Sequence, residues 1–165
     1  MSFDIFFQPM VFIDSQGETG DPKAAIRTES LGGSELKAVQ NVLGQAAAHR
    51  PDEHGCYVIE LEDGGGAEIF GNEFADGCMA ALRGITPDLL RFLFDLLKAG
   101  GDRWLMLPAM EDSVAITTSS RCVKGLPKDF PRLVSCNSPE ELGVLLSDGV
   151  LAWEKFRDHV VGGGE

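Results

Sequence analysis

Eight acidic residues and not one Lys or Arg stand between positions 51 and 76: Asp52, Glu53, Glu60, Glu62, Asp63, Glu68, Glu73 and Asp76. Carboxylates at this density can hold a hard cation through oxygen, exchange protons as an acid–base pair, or meet a basic protein. The spacing decides which of these is open. Glu60 and Glu62 are two apart on a strand-like run, so they share a face. Glu68 lies across an Asp63-Gly64-Gly65-Gly66 turn. It joins them only if the hairpin register is odd, and a one-residue slip sends it to the other face. An exposed, solvated sheet face is the ordinary outcome for such a strand. Glu60, Glu62, Asp63, Glu68 and Glu73 are therefore the candidate binding residues, through charge rather than catalysis.

The remaining chemistry is sparse. His49, His54 and Cys56 are zinc-type donors close in sequence, but a structural zinc site takes four ligands and no second pair stands elsewhere. Cys78 and Arg83 are one residue short of the spacing that wraps a phosphate, and they fall in a strand. Cys122 beside Arg121 lacks a neighbouring base. Cys78 and Cys122 read as small core residues, Cys56 as a loop residue, and all four cysteines (56, 78, 122 and 136) as reduced thiols. Gly32-Gly33-Ser34 opens a helix without a P-loop or dinucleotide pattern, and no nucleophile-elbow or zinc-protease motif is present. No cofactor and no metal are expected. Glu111 and Asp112 are the acids of an alternative pocket, formed near the loops 14–33 and 108–113.

The whole chain has 165 residues, 26 of them acidic and 14 basic, for a net charge of −12. Such a surface repels phosphate backbones and anionic lipid, which argues against nucleic acid and membrane surfaces. It attracts a basic partner. The sign reverses locally at Arg121, Lys124, Lys128 and Arg132. The N-terminus lacks a basic, apolar leader, and no apolar run reaches the ~20 residues of a membrane span. The expected setting is cytoplasmic.

These residues need a scaffold. Hydrophobic residues at 44% and charged residues at 24% describe an ordinary globular domain, here 1–161 with a flexible tail at 162–165. Phe3 to Ile13 reads as a strand broken or bent at Pro9, followed by a long loop over 14–33. Leu36, Val39, Val42, Leu43, Ala46 and Ala47 mark an amphipathic helix from an N-capping Ser34 to about His49. Strands follow over 56–62, 67–71 and 77–83. Thr86-Pro87-Asp88 is a strong helix start, giving 87–99 with a glycine stop. Strands at 103–107, 114–118 and 132–136 come next. Ser138 to Glu141 forms a capping box, and a last helix spans about 150–161. The sum is an α+β domain: a mostly antiparallel sheet built from hairpins, with about four helices packed on it.

The helix at 87–99 is apolar around most of its circumference, with only Asp88, Arg91, Asp95 and Lys98 as a polar stripe. Its extra apolar surface needs cover, from the terminal helices with Trp153 and Phe156 or from a second copy in a homodimer. In physical character the chain fits a non-enzymatic interaction module for a basic protein, as inhibitors and immunity proteins are. The alternative is a small-ligand binder or enzyme using the Glu111–Asp112 pocket.

Overall fold

The computed structural model describes residues 2–16, 20–71, 73–109, 114–121 and 123–147. Eight strands form one sheet in the order β3-β4-β5-β1-β6-β7-β8, with β2 paired to β1 off that path. The strands are β1 (Phe3–Gln16), β2 (Pro22–Thr28), β3 (Tyr57–Glu60), β4 (Gly66–Phe70), β5 (Cys78–Leu82), β6 (Trp104–Pro108), β7 (Ala115–Thr117) and β8 (Leu133–Ser135). Helices α1 (Gly33–Ala46) and α2 (Pro87–Ala99) and a further helical stretch, α3 (139–147), supply the remaining core. Three helices are thus described where about four were expected. The expected helix at 150–161, with Trp153 and Phe156, and the tail at 162–165 lie outside the described residues.

β1 is the middle of the sheet. It pairs antiparallel with β5 over Phe3–Phe7, with β6 over Ile5–Pro9 and with β2 over Met10–Gln16. Pro9 does not break it, contrary to the expectation from propensity. The Asp4 carbonyl accepts from Ala109 on the β6 side, and the Pro9 carbonyl accepts from Glu29 on the β2 side. Alternation along the strand therefore points the Pro9 nitrogen to the side where pairing with β5 has ended at Phe7 and pairing with β2 begins only at Met10. A missing N–H costs least at such a junction.

Residues 22–28, expected as loop, are the strand β2. Only Ala24 is buried and Ile26 half-buried in that strand, so the apolar alternation that betrays a strand is short and weak. α1 starts after Gly32 with no side-chain cap; Ser34 instead donates to Glu35 at 3.1 Å. It ends at Ala46 rather than near His49, because Ala47 turns extended and bridges to Ile59, and Ala48 N–H reaches the Val58 carbonyl at 2.9 Å. The chain leaving α1 thereby covers the outer edge of β3, which would otherwise offer itself for pairing. The pairings are antiparallel except the last: β7 and β8 run parallel, joined by residues 118–132.

α2 follows the sequence closely. Thr86 caps it by accepting from Leu89 N–H at 3.3 Å, and Pro87 occupies the first turn. Leu89, Phe92, Leu93, Leu96 and Leu97 are buried against Phe3, Ile5, Phe7, Ile59, Ile69 and Leu82 of the sheet. Leu90 and Phe94 are partly buried on the same core, joined by Leu142 and Leu146 of α3; a methyl at Gly143 would lie 2.9 Å from Leu90. Within the described residues the sheet and α3 bury most of the apolar circumference of α2 and leave Leu90 and Phe94 half-buried. Trp104 stacks on Phe7 at 5.8 Å between ring centres and presses on Gly100, where a Cβ would come within 2.1 Å of the indole.

Candidate binding surface

The acidic hairpin has an odd register. Glu60 pairs with Gly66, Val58 with Glu68 and Tyr57 with Ile69, leaving residues 61–65 as the loop. Directly opposed residues share a face, so Glu60 and Glu68 lie on the same side. Ile59, Ala67 and Ile69 point the other way into the core. Glu62 and Asp63 belong to the turn. Glu60, Glu62 and Glu68 do not form one cluster: Glu68 is drawn to Arg83, a salt bridge on the neighbouring strand end.

Asp63 does a different job from the one its charge suggested. Its Oδ1 accepts from Gly65 N–H at 3.0 Å and from the Thr86 hydroxyl at 2.8 Å; its Oδ2 accepts from Asp88 N–H at 2.9 Å. One carboxylate closes the hairpin loop and caps the first turn of α2, where the helix dipole favours a negative charge. Burial pushes its pKa up, but the Asp88, Gly65 and Thr86 donors outweigh this and hold it below its ordinary value. Asp63 is a structural latch.

Three more acids of the segment are spent locally. Asp52 accepts from Cys56 and His54 N–H, both at 2.9 Å, and these bonds lower its pKa against the opposing desolvation. Asp76 accepts from the Ser30 hydroxyl. Glu53 lies 3.5 Å from His54, with both side chains largely in solvent. Glu60, Glu62 and Glu73 remain exposed, with no hydrogen bond or ion pair among the described residues. Of the five candidates, then, two are committed inside the fold and three are free to meet a partner.

Glu73 sits in a tight turn in which both it and Phe74 have positive φ, 60° and 62°. Two successive non-glycine residues in this region are costly. The Phe74 ring repays the cost by burying itself edge-on against Tyr57, 5.5 Å away, and over Gly71, where a Cβ would come within 2.9 Å of it. Glu73, His54, Glu53 and Tyr57 line a cleft of 530 Å³.

Other candidates resolve as follows. Among the described residues no group of three or more His, Cys, Asp or Glu is placed to hold a metal ion. Cys78 is buried, and burial pushes its thiol up to about 12; burial also raises Cys56 and Cys136. Cys122 lies outside the described residues. The start of α1 is occupied by Glu35, whose pKa is lowered by its own backbone N–H and the Ser34 hydroxyl, with Arg103 nearby at 4.0 Å. Both long helices thus carry a carboxylate of this chain at their N-termini.

Glu111 and Asp112 also lie outside the described residues. Nearest the 14–33 region is a small cavity of 180 Å³ between Met10, Phe12, Thr117, Arg121 and Leu133, and Arg121 is drawn there to Asp14 at 2.5 Å. A larger groove of 600 Å³ runs between α1 and α2 along Val42, Leu61 and Phe92, with Arg91, Asp95 and Lys98 beside it.

Apolar residues also stand on the sheet face turned away from Phe7, where neither charge nor motif marks them. Phe6 and Phe70 are 37% and 39% exposed. The signal was present in Phe6-Phe7: adjacent strand residues cannot both point into one core. Among the described residues no helix is long and apolar enough to cross a membrane. No protein-family model, no curated protein and no solved structure matches this chain.

Proposed function

We propose that the chain is a non-enzymatic interaction module that binds a basic protein partner, in the physical manner of small acidic inhibitors and immunity proteins. The reading is supported foremost by the sorting of the acids. Glu60, Glu62 and Glu73 stay exposed and uncompensated, while neighbouring carboxylates are consumed in holding the turns that display them. Uncompensated surface carboxylates on a chain of net charge −12 steer a cationic partner and speed its encounter. A reducing, cytoplasmic setting suits the buried thiols.

The test begins with capture from native lysate at low and high salt and identification of what is retained. On-rates for the captured partner are then followed across a salt series, for the wild type and for Glu60→Gln with Glu62→Gln. The reading expects a basic partner, an on-rate that falls with salt, and a slower, flatter profile in the double variant. An on-rate indifferent to salt sinks it.

A further inference from the structure

Among the described residues, the sheet face turned away from Phe7 and Trp104 carries an apolar row that is exposed at Phe6 and Phe70. Phe70 of β4 pairs with Met79 of β5, Met79 with Phe6 of β1, and Phe6 with Leu107 of β6. Opposed residues share a face, so these four side chains stand side by side across four strands, a span of about 14 Å at ~4.8 Å per strand. Met79 and Leu107 are half-buried, and Phe6 and Phe70 are two of the four large hydrophobic residues exposed among the described ones. Single exposed apolar side chains are commonplace; here two exposed and two half-buried ones stand contiguously in register.

The next row along the strands is acidic at two positions. Val58, Glu68, Ala81 and Asp4 follow one another across β3, β4, β5 and β1. Glu60 stands one further step out on β3, opposite Gly66. Rows on one face are separated by about 7 Å, two residues of rise, which a Lys or Arg stem spans while its methylenes lie on the apolar row. Arg83 is the cation on this side, and Glu68 engages it.

Resting on the reading above, we infer that the row Phe70–Met79–Phe6–Leu107 is the docking surface for that partner, and that it takes a segment presenting apolar side chains flanked on one side by Lys or Arg. Charge selects this occupant over a second copy of the chain. Two such faces pressed together would bring Asp4 and Glu60, which no described cation offsets, near the same residues of the other copy, on chains that each carry −12. A cationic flank turns the same carboxylates into attraction. The apolar row supplies the desolvated centre of the contact, and the acids supply its rim and its orientation.

The probe is an amphipathic peptide of about 18 residues, long enough to hold a helix, with a Leu face flanked by Lys. Its controls are a scramble of the same composition and a version with Glu for Lys. Binding to the full chain is measured by titration calorimetry, and amide shifts are mapped on the wild-type protein. The amphipathic Lys peptide is expected to bind about tenfold tighter than its scramble and to shift residues of β4, β5, β1 and β6. Phe6→Gln with Phe70→Gln, both exposed positions, is expected to erase that tenfold preference while the circular dichroism spectrum stays unchanged.

Equal binding of peptide and scramble, or a preference that survives the double variant, overturns this inference and leaves the basic-partner reading standing. Binding of the Glu peptide alone overturns both. A dimer in sedimentation that the double variant dissolves assigns the row to a second copy and likewise overturns it.

Discussion

Phe6 and Phe7 are the same side chain one residue apart, and they live on opposite faces of the same strand. Phe7 is fully buried, stacked on Trp104 in the helix-covered core. Phe6 stands on the open face between Met79 and Leu107. Ile59 and Glu60, and Ile69 and Phe70, repeat the contrast on β3 and β4. The face that carries Phe7 is close-packed and dominates stability; the other is buried at Ala81, Leu105, Ala115 and Thr117 but exposes Phe6 and Phe70, where stability alone would favour polar residues. The pleat separates the two tasks, so changes on one face should leave the other nearly untouched.

The largest expected effect tests that separation directly. Phe7→Ala should cost ~3–5 kcal/mol in urea unfolding, as truncation of a buried aromatic does, and Phe6→Ala less than ~1 kcal/mol. Equal losses would show that the open face is packed against something and the contrast is false. A smaller effect lies at the seam between the hairpin and α2. A Cβ on Gly65 would lie 2.1 Å from the Thr86 hydroxyl oxygen and 3.2 Å from Leu89. Gly65→Ala should therefore cost ~1–3 kcal/mol by forcing the Asp63 latch apart, whereas Glu60→Gln should leave the urea midpoint where it is.

Acid sharpens the difference between latch and display carboxylates. The pKa values of Asp63, Asp52 and Glu35 are all held below their ordinary values in the fold. A depressed carboxylate contributes stability that is complete above its unfolded value and is lost as pH falls through the folded one. The urea midpoint should thus drop below about pH 4, and Asp63→Asn should lower it at neutral pH and flatten the acid limb. Substituting Glu60 should leave that limb unaltered. The smallest readout is chemical. With its thiol pushed up to about 12, Cys78 should resist alkylation at mildly alkaline pH until the chain unfolds, as peptide-resolved mass spectrometry would show.

What the sequence made legible was what neighbours in sequence decide. Thr86-Pro87-Asp88 announces α2 because a cap and a first-turn proline act within one turn of chain. The Asp63–Gly66 turn announces the hairpin for the same reason. The odd register was not legible, because the loop closes at 61–65 only with Asp63 anchored to Thr86 and Asp88, more than twenty residues away. β2 stayed hidden because only Ala24 and, in part, Ile26 of its seven residues turn away from solvent, too short an alternation to mark a strand. The parallel pairing of β7 with β8 depends on a long connection with no local signal. Of the candidate site, the acids were visible as charge, but their division into latches and free groups rests on contacts that only the folded chain makes.

The central place of β1 carries a consequence for how the molecule comes into being. Residues 3–7 must find residues 78–82 on one side, and residues 5–9 must find residues 104–108 on the other. During synthesis the Phe-rich strand emerges well before either partner, at ~5–20 residues per second, and waits with both edges unpaired. Long-range pairing of this kind slows folding, and an idle apolar strand is a template for aggregation. The β1–β2 hairpin is the one pairing available early. It makes residues 10–28 the segment whose rapid closure decides whether the nascent chain reaches the sheet or is lost to its neighbours.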